Sequence, residues 1–215
     1  GGTGKTGRRV AERLVAKGVP TRVGSRSGTP PFDWDDQTTW EPALKNVHAA
    51  YITYQPDLAV PAAPPAIETF SALAVEKGVE RLVLLSGRGE EEAQRCERIV
   101  QNAGVEWTIL RASWFNQNFS EGAFHELVLG GVVALPAEPV GEPFVDVDDI
   151  ADVAVAALTE EGHAGQLYEL TGPRLMTFTD AVNEIARASG GDIRYQQIPI
   201  EVFTNALLDQ GVPSD

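Results

Sequence analysis

Cysteine, histidine and positive charge are scarce in this sequence, and each scarcity removes a class of function. Among 215 residues there is one cysteine, Cys96, so no internal disulfide framework can form, which fits a reducing compartment. Three histidines, His48, His125 and His163, lie far apart and share no metal-ligand spacing, so no metal site is expected. Lys and Arg total 17 against 31 Asp and Glu, a formal net charge of −14. A field of that sign repels polyanions and argues against nucleic acid or an anionic membrane surface as partner. No apolar run approaches the roughly 20 residues needed to span a bilayer. No signal peptide is visible either, which leaves the cytoplasm as the default compartment.

A catalytic signature is missing as well. Reductases on α/β folds commonly use a Tyr and a Lys four residues apart on a helix, the Lys lowering the Tyr pKa for proton transfer. Four residues beyond Tyr51, Tyr54, Tyr168 and Tyr195 stand Gln55, Leu58, Gly172 and Pro199, never Lys. The helix that would carry the pair holds Gln94 and Arg98 instead.

What the chain does have begins at its first residue. Gly1-Gly2-Thr3-Gly4-Lys5-Thr6-Gly7 sets glycines at positions 1, 4 and 7 directly before a helical pattern. Such a loop lets a phosphate approach bare amides at a positive helix N-terminus. Gly4-Lys5-Thr6 also imitates the end of a nucleoside-triphosphate P-loop, whose first glycine would precede Gly1. A P-loop enzyme needs an acidic magnesium ligand at a strand end, and the best strands here end in Tyr54, Ser86 and Arg111. The dinucleotide reading is therefore preferred. A loop of this kind follows a buried strand, so a natural N-terminal strand is expected to be missing. The stop at Pro213-Ser214-Asp215 without a closing helix suggests the same of the C-terminal end.

Along the chain, apolar Val10, Leu14 and Val15 predict a helix over 5–17 that Gly18 stops. Strands are predicted at 21–24, 32–34, 49–54, 81–86, 107–111, 166–170 and 193–198. Helices are predicted near 40–45 and over 65–77, 90–103, 148–158 and 179–188, the last capped by Thr177 or Thr179. Between 111 and 148 the pattern loosens into an aromatic, amide-rich stretch and a Pro-rich loop at 135–143. Alternating strands and helices at this spacing mean a parallel sheet with helices on both faces, its strand C-termini sharing one edge. Ligands of open α/β sheets bind at that edge.

Ser25-Arg26 indicates which dinucleotide. Sites for NAD place an acidic residue about 20 positions beyond the glycine loop to hold the ribose hydroxyls. This chain has Gly24-Ser25-Arg26-Ser27 there, and a guanidinium with hydroxyls suits a 2′-phosphate instead, so NADPH is favoured over NADH. Cys96 lies between Arg95 and Arg98, which could lower its pKa, although a plain helix-face thiol is the simpler reading. Trp114 and Phe115 suit either simple packing or the flank of a nicotinamide or substrate ring.

The glycine loop, Leu84-Leu85-Ser86, Trp107-Thr108-Ile109-Leu110-Arg111 with Phe115 and Asn118, and Phe144-Val145-Asp146-Val147-Asp148-Asp149-Ile150-Ala151 together resemble the NmrA-like family of atypical short-chain dehydrogenases/reductases. Gly24-Ser25-Arg26-Ser27-Gly28 and Phe32-Asp33-Trp34 look most like bacterial relatives of the ergot-alkaloid dehydrogenases. The resemblance implies an α/β, Rossmann-like, doubly wound parallel sheet with a small C-terminal substrate lobe. Residues 1–215 would form a single NAD(P)-binding domain, with the cofactor core mainly in 1–113 and substrate-side elements in 114–215. By motif position Gly1, Thr3, Gly4, Lys5 and Thr6 would hold the pyrophosphate of NADP, and Ser25 and Arg26 its 2′-phosphate. Tyr54 and Ser86 would lie along the ribose and nicotinamide, and Arg111 to Phe115, with Asn118, would line the pocket floor. The resemblance covers both reductases and redox-sensing regulators. One expectation is thus an NADPH-dependent oxidoreductase for a small iminium, quinone or enone that needs no Tyr/Lys pair. The other is a non-catalytic NADP(H) sensor with a protein partner.

Overall fold

The computed structural model describes residues 1–122, 124–137 and 139–209. Val10 and Leu14 bury one stripe of helix α1 (Lys5–Ala16), and Gly18, at φ 73°, turns the chain out of it. A 3₁₀ turn (Gln37–Thr39) leads into α2 (Trp40–Leu44), then β1 (Ala49–Ile52), α3 (Ala63–Glu76), β2 (Arg81–Gly87), α4 (Glu91–Gln101) and β3 (Glu106–Ala112). After them come α5 (Asn118–Glu121), α6 (His125–Leu129), β4 (Val132–Leu135), α7 (Val147–Thr159), β5 (Gln166–Leu170), α8 (Phe178–Ser189), β6 (Arg194–Gln197) and α9 (Ile200–Asp209).

The main sheet has four parallel strands in the order β1-β2-β3-β5. Strand alternation sorts its side chains onto two faces. Ile52, Leu82, Leu84 and Ile109 face a core shared with Trp40, Ile67, Phe70, Cys96 and Val100 of α2, α3 and α4. Val83 and Leu110 face the other way, onto Val10 and Leu14 of α1 and Ala151, Ala154 and Val155 of α7. Leu82, Val83, Leu84, Ile109 and Leu110 are fully buried, each such side chain contributing roughly 1.5–3 kcal/mol. Continuous burial on both faces is what a helix-covered parallel sheet requires, and the fold is Rossmann-like.

The chain divides into two compact units, one of residues 1–113 and 145–171, the other of residues 114–144 and 172–215. The second unit pairs β4 with β6 in parallel and packs Phe119, Phe124, Val133, Leu135, Phe144 and Phe178 into its own core. Its helix α8 opens with a capping box in which Thr177 and Asp180 exchange hydrogen bonds, so Thr177 is the cap rather than Thr179.

Three expectations change. Residues 21–24 form no strand; the carbonyl of Gly24 instead accepts from Gly2 N at 3.0 Å. Phe32–Trp34 makes only an isolated bridge from Asp33 to Asp36, because Asp36 caps the 3₁₀ turn and the Trp40 indole donates to the Asp33 carbonyl at 2.6 Å. Turn-forming aspartates outweigh the β preference of the aromatics there. Third, α9 forms directly after Pro199, which suits the residue before a helix rather than a breaker. The expected stop at Pro213–Asp215 falls outside the described residues. Among the described residues, no helix is long and apolar enough to cross a membrane.

Candidate functional site

The glycine loop folds back on itself before α1. Gly4 N donates to the Gly1 carbonyl at 2.9 Å, and Gly4 caps the helix without a side-chain hydrogen bond. No acidic residue occupies the first turn of α1, so its amide dipoles are not neutralised locally. Two glycines are required by close approach: a β-carbon on Gly1 would overlap the Thr53 hydroxyl, and one on Gly7 the Gly1 carbonyl. Thr3 and Gly4 are exposed, Lys5 is half-buried and Thr6 is buried. The result is a backbone cradle ending in an uncapped helix, a shape that fits a pyrophosphate.

Ser25 and Arg26 follow Gly24 and are tied to the loop by the Gly2–Gly24 hydrogen bond. Arg26 is exposed and lies close enough to the loop to help burial hold the Gly1 amine below its ordinary pKa. Thr53 and Tyr54 leave the end of β1. The Tyr54 ring stands 5.1 Å from that of Trp34, in the aromatic cluster of Phe32, Trp40 and Phe70. Burial, helped by Asp35, raises its phenol pKa, so Tyr54 stays protonated at neutral pH. Tyr51 is more strongly raised by burial; Thr6 partly opposes the shift, although their hydroxyls form no hydrogen bond of full geometry.

Ser86, Arg111 and Glu169 are penultimate residues of β2, β3 and β5, and they are register partners across the sheet. Between the first two lies a residue that sequence reasoning missed, Glu97 of α4, only 2% exposed. Its carboxylate accepts the Ser86 hydroxyl at 2.6 Å and the Arg111 guanidinium through Nε at 2.8 Å and Nη2 at 2.6 Å. Glu169 faces Arg111 Nη1 at 3.6 Å and Arg88 at 3.5 Å. The hydrogen bonds from Glu97, foremost, raise the Arg111 pKa. Both strand-end side chains thus have protein partners. Glu97 falls on the apolar stripe of Ala93, Cys96 and Val100, and a carboxylate on such a stripe was the available signal.

Glu90 sits in the turn between β2 and α4, and burial, helped by Asp57, raises its carboxyl pKa. The Ser113 hydroxyl just past β3 is buried without a hydrogen-bond partner among the described residues. Cys96 is fully buried and its thiol is pushed up to about 11, first by burial, so the flanking arginines do not activate it. Among the described residues, no group of three or more His, Cys, Asp or Glu is placed to hold a metal ion.

Trp114, Phe115 and Asn118 belong to the second unit. Trp114 is 46% exposed, stacks on Phe124 at 5.7 Å and meets Phe178 edge-on at 5.5 Å. Its backbone N–H donates to Glu142 at 3.1 Å. The Phe115 carbonyl accepts from Asn118 N at 3.0 Å, opening α5. The half-open indole is thereby held rigid on an aromatic bed.

Comparisons with known proteins agree with this architecture. Festuclavine synthase I of Penicillium roqueforti is 31% identical over all of this chain and 82% of its own length. Agroclavine dehydrogenase of Claviceps fusiformis is 32% identical over all of this chain and 81% of its own. The crystal structure of an NADPH-dependent quinone oxidoreductase from Escherichia coli complexed with NADPH superposes with a TM-score of 0.79. It covers 99% of this chain and 82% of that one at 24% identity, a likeness of fold. The sequence profile of the NmrA-like family matches residues 91–215, and the chain belongs to that family.

Proposed function

We propose that the chain binds NADP(H) at the strand-end edge of its first unit and reduces a small organic substrate. The observation that supports this most directly is the glycine cradle ending in an uncapped helix, with Arg26 beside it. Backbone amides from Gly1 to Thr6 would hold the pyrophosphate, with Lys5 adding charge. Ser25 and Arg26 would hold the 2′-phosphate, and Tyr54 and Ser86 the ribose and nicotinamide end. Arg111, saturated by Glu97, would keep that edge in shape. Trp114, Phe115 and Asn118 would form the substrate side. When bound, NADPH supplies a hydride.

The residues at the edge narrow the substrate class. Tyr54 keeps its proton, and the Ser86 proton is committed to Glu97. Hydride addition to an iminium neutralises a cation directly and needs no proton from the protein, so positioning could suffice. Quinones and enones would take their proton from water. A formal charge of −14 favours the cationic class weakly. The names of the relatives, an agroclavine dehydrogenase, a festuclavine synthase and a quinone oxidoreductase, fall within these reductions.

The same shortage of free acids also suits a second reading, an NADP(H)-sensing protein that signals to a protein partner. Calorimetry with NAD, NADH, NADP and NADPH, followed by an NADPH-oxidation screen over iminium, quinone and enone panels, separates the two. Turnover on any panel supports the reductase. Tight NADPH binding with no turnover, and unequal affinity for the two redox forms, supports the sensor. No dinucleotide binding removes both.

A further inference from the structure

Glu97 has no place in the proposed binding list, yet it is the most completely buried charge in the first unit's site, at 2% exposure. A buried ion pair alone is weak evidence for any role, since apolar replacement often stabilises as well. The Ser86 contact makes this one different. Arg111 gives Glu97 two N–H donors, and the third donor is the Ser86 hydroxyl at 2.6 Å. A serine hydroxyl has one proton, and here it points at a carboxylate. Only its lone pairs are left for other partners.

We propose that Glu97 is a positioning residue that fixes Ser86 as a hydrogen-bond acceptor for a ligand N–H or O–H. The inference rests on the proposed dinucleotide site, whose ribose hydroxyls and carboxamide N–H are donors of that kind. Arg111 anchors the carboxylate through its two-pronged contact, and its register pairing with Ser86 sets the spacing. An uncharged amide at position 97 could instead donate to Ser86 and reverse the direction of its hydroxyl.

The test is a double-mutant cycle on NADPH affinity, read by calorimetry, with melting temperature recorded in parallel. Glu97→Gln and Ser86→Ala should each weaken NADPH about tenfold, the worth of one hydrogen bond. The double variant should be little weaker than either single one, because both remove the same acceptor. Ser86→Thr, which keeps the hydroxyl, should restore most of the affinity. Glu97→Met combined with Arg111→Met removes the charge pair without stranding either partner, and should lose the same tenfold even if Glu97→Gln folds poorly. Unchanged affinity in that double variant, or strictly additive losses with a lowered melting temperature, would leave Glu97 a purely structural residue and overturn the inference. Wild-type protein that binds no NADPH overturns the dinucleotide reading and this inference together. Wild-type binding with an indifferent Glu97 overturns this inference alone.

Discussion

The carbonyl oxygen of Gly1 occupies the space that a β-carbon on Gly7 would need, and the Gly2 Cα stands 2.8 Å from the same point. Both neighbours are backbone, so neither can swing aside. Gly7→Ala should cost about 1–3 kcal/mol of stability by overpacking, and should open the loop enough to abolish dinucleotide binding. Thermal melting and calorimetry on one preparation check both halves. An alanine variant with wild-type melting and wild-type affinity would show that the cradle tolerates a methyl group.

Arg26 is the residue on which the choice of NADPH over NADH depends. Arg26→Asp exchanges a guanidinium for a carboxylate that repels a 2′-phosphate and accepts from ribose hydroxyls. NADPH affinity should fall roughly 10- to 100-fold, the range for hydrogen bonds to charged groups, while NADH improves. A preference that stays put would move the 2′-phosphate contact to another residue.

Asp148 joins α7 to α1, accepting from Arg9 at 3.1 Å and from Arg13 at 2.7 Å. The Arg13 hydrogen bond, above all, holds its carboxyl below the ordinary value. The folded pKa is therefore the lower one, so this contribution is complete above about pH 4 and is lost as pH falls through the folded value. Asp148 is 48% exposed, so screening limits the contribution to about 1 kcal/mol at most. Asp148→Asn should reduce stability slightly at pH 7 and flatten the acid limb of the stability profile. High salt should shrink the difference between variant and wild type.

Cys96 should resist thiol reagents. At pH 8 a thiol pushed up to about 11 and fully buried presents almost no thiolate, so a disulfide-exchange dye should read no free thiol until denaturant is added. Rapid labelling of the native protein would mean that α4 opens readily.

Trp114→Ala tests the substrate side. Loss of its stacking on Phe124 and Phe178 should lower stability by about 1 kcal/mol. KM for the accepted substrate should rise while NADPH affinity holds. The opposite pattern would assign the indole to the cofactor.

Much of the fold was legible because it is written in local periodicity. The strands around Leu84 and Ile109 and the helices carrying Val10 and Ile150 fall where apolar spacing placed them. Reading failed where turn chemistry and aromatic clustering competed, at Phe32–Trp34, and where short elements alternate, between α5 and β4. Of the site, the glycine loop and the strand ends were visible because backbone geometry demands particular residues. Glu97 was not, because its significance lies in three donors brought from β2 and β3, and no spacing along the chain encodes that meeting.

The first unit is interrupted by residues 114–144 and completed only by residues 145–171. During synthesis the first 113 residues emerge with Val83 and Leu110 lacking the cover that Ala151, Ala154 and Val155 later provide. At ordinary elongation rates that apolar face waits on the order of several seconds for α7. A fragment ending at Ser113 would never receive it, so the nucleotide half of this protein is not an excisable module despite carrying the whole glycine loop.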